Sequence, residues 1–164
     1  MKKRTFVLLT FVPVLAGYIR NLTILLPGIG ALLYYTVPLL TTVFWFWLGM
    51  QFAHATWKTV PAILIGNATG VVSILVYLWQ CLLTNDETRN MGLLGVSQLF
   101  GSAAPGFWLG GIALRFESAP NTIGMASAVA LQVLSVLYMI AVFLLGFLWE
   151  KVRTRKASVK QTPF

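Results

Sequence analysis

Side chains able to do chemistry are scarce in this sequence: one histidine, one cysteine and four acidic residues among 164. His54 follows Gln51 by three residues and lies close to Lys58. An imidazole with its ordinary pKa of about 6.5 can carry protons near neutrality, the chemistry of a proton-coupled step. Without a carboxylate nearby in the sequence, however, His54 reads as an interfacial residue. Arg115 and Glu117 flank Phe116 just ahead of Pro120, where charges at the edge of an apolar run reach for lipid headgroups. Asn67, Gln80 and Gln132 lie inside apolar runs, and with Arg115 they form a candidate polar site. Ser97, Ser102 and Ser127 have no histidine to activate them on the same side, and there is no phosphate loop, no His-Glu-x-x-His and no pair of carboxylates within an apolar run. The lone Cys81 allows neither an intrachain disulfide nor a cysteine metal site. The expectation is a non-enzymatic protein with no catalytic residue, no metal and no cofactor.

The elements that must position these residues are written in an almost unbroken apolar text from Phe6 to Trp149. Hydrophobic residues make up 58% of the chain, more than one core of this size can hide from water, so the solvent is a bilayer. Eight of the twelve Lys and Arg residues lie at the two ends: Lys2, Lys3 and Arg4, then Lys151, Arg153, Arg155, Lys156 and Lys160. Basic residues beside short spans stay cytoplasmic, so both termini are expected inside a cell membrane. The net charge of +8 then finds its partner in anionic headgroups at the basic ends. No aromatic-and-basic pattern suggests nucleic acid. The other partner expected is another membrane protein or a second copy of the chain. Residues 1–150 read as one integral membrane domain and 151–164 as a basic, unstructured cytoplasmic tail.

Four spans are expected. The first covers Thr5 to Tyr18, is short and is kinked by Pro13; Val14-Leu15-Ala16 would pass as a signal cleavage site, but an uncleaved first helix serves the same insertion role. Leu22 to Leu33, broken by Pro27-Gly28, reads as an extracytoplasmic loop or half-helix. The second span runs from Leu32 to Phe52, the third from Val60 to Leu83, and the last from Thr122 to Trp149 after a start at Pro120-Asn121-Thr122. Met91 to Phe116, punctuated by six glycines and Pro105, is the ambiguous stretch. If it crossed alone, the basic C-terminus would end outside. The fold class is therefore an all-α polytopic bundle of four spans plus a re-entrant or interfacial Gly/Pro-rich segment, the alternative being six spans with Leu22 to Leu33 also crossing.

Gly66, Gly70 and Ser73 share one stripe of the third span, and Gly124 and Ala128 begin a similar stripe, through Gln132, Ser135 and Met139, on the last. Small residues let helices approach where lipid removes the hydrophobic incentive, so these faces are expected to dock. In size, sidedness and Gly-rich helices the chain resembles the small substrate-binding membrane subunits of vitamin-type transporters, a likeness of architecture that names no substrate. The functional expectation is an accessory or assembly subunit acting through helix contacts, with a small transport or solute-binding component as the alternative.

Overall fold

The structure is a computed structural model and describes residues 3–55, 57–117 and 122–159, all helix and short connections. Four helical stretches are long and apolar enough to cross a membrane: 3–23, 29–53, 59–82 and 125–156. Their outward faces carry large apolar side chains such as Leu22, Leu40, Val43 and Leu64, which water would not tolerate in such numbers.

The first span is two helices, α1 (Lys3–Leu9) and α2 (Val12–Thr23). Pro13 causes the break, which falls just ahead of it. Lacking an N–H and clashing with the carbonyl four residues back, its ring ends α1 at Leu9. The span therefore extends five residues beyond the expected Tyr18, and only the turn around Pro27 and Gly28 separates it from α3 (Ile29–Ala53). Gly28 supports that turn with a φ of 77°, a value that disfavours a side chain. The expected half-helix over Leu22 to Leu33 is thus divided between the end of α2 and the start of α3. α4 (Thr59–Leu82) returns antiparallel to α3 after a short connection.

The last helix, α7 (Met125–Val159), runs parallel to α3. The outer contacts set the shared direction, Tyr138 Oη donating to Thr42 Oγ1 at 3.2 Å and His54 Nε2 meeting Glu150 Oε1 at 3.0 Å, and between them the helices cross where Gly49 abuts the Phe143 backbone and Gly146 that of Phe46. His54 thus has a carboxylate partner after all, 96 residues away in sequence. Glu150 is buried, and a buried carboxylate requires such a partner. A second correction concerns the tail, which is helical through Val159. Lys, Arg and Ala are good helix formers, basic residues suit a helix C-terminus, and Thr154 Oγ1 donates to the Glu150 carbonyl at 2.9 Å. The start expected at Pro120-Asn121 lies outside the described residues, and α7 begins at Met125.

Because α3 and α7 are parallel and α4 is not, the chain leaves α4 and enters α7 at the same end of the bundle. The connection holds α5 (Met91–Ser102), α6 (Gly106–Ala113) and a closing 3₁₀ turn at Leu114–Phe116. At its entry the Asn90 N–H donates to Gln80 Oε1 at 2.8 Å and Asn90 Oδ1 caps α5. α5 packs between α2 and α4, and Phe100, about 14 Å along the helix from Met91, meets the Trp45 ring at 5.6 Å. The chain then turns at buried Ala103, Ala104 and Pro105, and α6 climbs back along α7. Residues 91–116 form a re-entrant hairpin, and the bundle has four spans.

Both ends of the described chain lie at one end of the bundle. Phe6 packs edge-on against Phe52 at 4.9 Å, beside Trp57, and α7 continues past His54. This is the basic end. The core between the ends is aromatic: Trp45, Phe52, Phe100, Phe143 and Phe147 are almost wholly buried.

Candidate functional site

The residue that the structure singles out is Arg20. In the sequence it reads as the end of an apolar run; in the fold it is one turn inside the end of α2 and only 8% exposed. Gly17, one turn earlier, explains its placement. A Cβ there would strike the Leu99 backbone, so the glycine lets α2 press against α5 and delivers the next turn to the break in the hairpin. Arg20 Nη1 donates to the Ser102 carbonyl, one of the carbonyls left open where α5 ends. The guanidinium also lies over the Tyr34 ring, 4.4 Å from its centre. Its Nε is buried without a hydrogen-bond partner.

Beside Arg20 is a cavity of about 220 Å³, lined among others by Asn21, Tyr34, Gln98, Gln132 and Ser135. It lies in the half of the bundle away from the basic clusters, against the turn that joins α5 to α6. Hydrogen-bonding groups dominate its wall, unlike the apolar groove of about 440 Å³ between α2, α4 and α5.

The four residues expected to form a polar site do not meet there, which corrects that expectation. Only Gln132 lines the cavity, its amide against Gly101. Asn67 is buried on α4 and donates to the Ile63 carbonyl of its own helix at 3.0 Å, leaving Oδ1 unpartnered. Gln80 latches the hairpin entry, accepting from Asn90. Arg115 is exposed on the 3₁₀ turn. The reason is topological: α5 occupies the space between α4 and the far half of α7, and spacing along single helices cannot reveal that.

The small-residue stripes are similarly divided. Gly66 faces the Phe143 ring of α7, whereas Gly70 faces the Phe100 ring of α5. Ser73 borders the apolar groove. Gly124 precedes α7, where its N–H donates to Glu117 Oε1 at 2.7 Å, and Ala128 lies half-buried one turn on. Glu117 also accepts from the Ser127 N–H at 2.8 Å. Hydrogen bonds from Ser127 and then Gly124 hold its carboxyl below the usual carboxylate range. The backbone-to-backbone helix crossings are elsewhere, at Gly17 between α2 and α5 and at Gly49 and Gly146 between α3 and α7. No sequence signal marks the Gly49 and Gly146 pair, since neither glycine belongs to a run of small residues, and Arg20 reads in the sequence only as the end of an apolar run.

No cluster of three or more potential metal ligands occurs among the described residues. Fold and site together define a polytopic helical membrane protein with a re-entrant hairpin and a small polar cavity at its bend. No protein-family model, curated protein or solved structure matches the chain.

Proposed function

We propose that this is a non-enzymatic, multi-pass cell-membrane protein that binds a small polar solute in the Arg20 cavity, as a transport or solute-binding component. The observation that carries this reading is a buried arginine held at the bend of a broken, re-entrant helix pair. Interrupted backbone at membrane depth survives where it is buried in protein or lines a wet cavity, and transporters use broken helices in that way. In the proposed orientation the basic end faces the cytoplasm, where Lys151, Arg153, Arg155 and Lys156 meet anionic headgroups. The cavity then lies toward the opposite, non-cytoplasmic side.

An assembly role through helix contacts is the second reading, favoured by the apolar groove along Val72, Val76, Leu93 and Val96. Purification in mild detergent followed by native mass spectrometry separates the two. A retained small molecule that is lost on Arg20→Gln supports solute binding. A stoichiometric protein partner, with an empty cavity, supports assembly and overturns the first reading.

A further inference from the structure

Arg20 is charged, almost fully enclosed and without a carboxylate partner among the described residues. All four acids are accounted for elsewhere: Asp86 pairs with Arg89 at 2.9 Å, Glu150 with His54 at 3.0 Å and Arg153 at 3.8 Å, Glu117 accepts from Gly124 and Ser127, and Glu87 is exposed in the 83–90 loop. None of them lies within ion-pair distance of Arg20.

The helix ends do not neutralise it either. The C-terminus of α5 presents about half a negative charge at Ser102, to which Arg20 donates. The N-terminus of α6 presents about half a positive charge a few residues on, and the Arg20 Nη2 lies 3.6 Å from where a Cβ of Gly106 would be. The two dipoles oppose each other, so the Ser102 carbonyl and the face of the Tyr34 ring temper the positive charge beside the cavity but no anion cancels it. An enclosed, unpaired charge is costly, more so at membrane depth, and an anion entering the cavity would remove that cost.

Building on the solute-binding reading, we infer that the solute is anionic: the cavity takes a compact oxyanion, the carboxylate or phosphate end of a small molecule, as the missing counterion of Arg20. The oxyanion accepts from the Arg20 guanidinium where it lines the cavity, and Gln98, Gln132 and Ser135 supply neutral donors around it. The small cavity suits one such group. The bulk of a larger solute would extend toward the open end of the bundle.

The test pairs acetate with acetamide, which share a shape and differ in charge, and adds inorganic phosphate. All are titrated at matched ionic strength in chloride buffer against the purified full-length chain, with unfolding temperature as the readout. The expected result is saturable stabilisation by acetate or phosphate, none by acetamide, binding weakened about tenfold or more in Arg20→Gln and partly kept in Arg20→Lys. Stabilisation by acetamide equal to that by acetate overturns the inference yet leaves a polar-solute site standing. No stabilisation by any probe, with no retained lipid, overturns both. A phospholipid retained one per protein and displaced by phosphate supports the inference and assigns the oxyanion to a headgroup. If Arg20→Gln does not fold, the acetate and acetamide comparison on the unaltered protein still decides.

Discussion

At the crossing of α3 and α7 two glycines face opposite backbones, and giving either a methyl group should force the helices apart. An added Cβ at Gly146 would lie 2.9 Å from the Phe46 carbonyl carbon, closer still to its oxygen, and one at Gly49 would lie 3.1 Å from both the Phe143 carbonyl carbon and the Phe147 nitrogen. Ordinary van der Waals contact begins at 3.4 Å, so the carbonyl carbon alone demands a separation of about 0.5 Å at Gly146. The obstacles are helix backbone and cannot rotate aside. A gap of about 0.5–1 Å forfeits a quarter to a half of each dispersion contact it opens, and overpacking costs about 1–3 kcal/mol. Ala is intrinsically better than Gly in a helix by about 1 kcal/mol, which offsets part of this. The net expectation for Gly146→Ala is a loss of about 1–2 kcal/mol, with Gly49→Ala close behind. The double variant should cost less than the sum, because a crossing already opened accommodates the second methyl. Controls come from Gly95 and Gly110, where an added Cβ meets nothing within 4 Å and Ala should be neutral or stabilising. The assay is reversible denaturant unfolding in detergent micelles, with helical circular dichroism as the readout. If Gly146→Ala matches or exceeds the stability of Gly110→Ala, the close crossing, and the parallel pairing of α3 with α7 built on it, are wrong.

Two further outcomes follow from the hairpin and its anchor. In a Cys81→Ser background, single cysteines at Glu87 and Arg115, both exposed, should react with an impermeant thiol reagent from the same side of sealed vesicles; modification of one alone would mean that residues 91–116 cross. Glu117 has its carboxyl pKa lowered by the Ser127 and Gly124 hydrogen bonds, so its contribution to stability is full above the unfolded carboxylate value of about 4.3 and fades as pH falls through the lower folded value. Glu117→Gln should weaken hydrogen-exchange protection at Ser127 near neutral pH and flatten its dependence on pH in the acid range, whereas unaltered protection would refute the anchoring role.

Much of the fold is determined by sequence alone, because bilayer solvation acts on local composition. Apolar runs of sufficient length must become spans, basic clusters must stay out of the hydrocarbon, and a stretch as rich in Gly and Pro as 91–116 cannot be one clean helix. The expected bounds of the second and third spans accordingly fall within three residues of α3 and α4. Local chemistry did not reveal which faces meet. Whether Gly70 faces Phe143 or Phe100, whether His54 finds Glu150, and whether Arg20 ends a span or fills its interior all depend on where α5 inserts, a question of volume among α2, α4 and α7 rather than of periodicity along any one helix. The polar site illustrates the division. Gln132 was legible as an amide in an apolar run, but its companion Arg20, 112 positions away, is brought to it only by the parallel course of α3 and α7 and the bend at Ala103 to Pro105, long-range packing that no local spacing encodes.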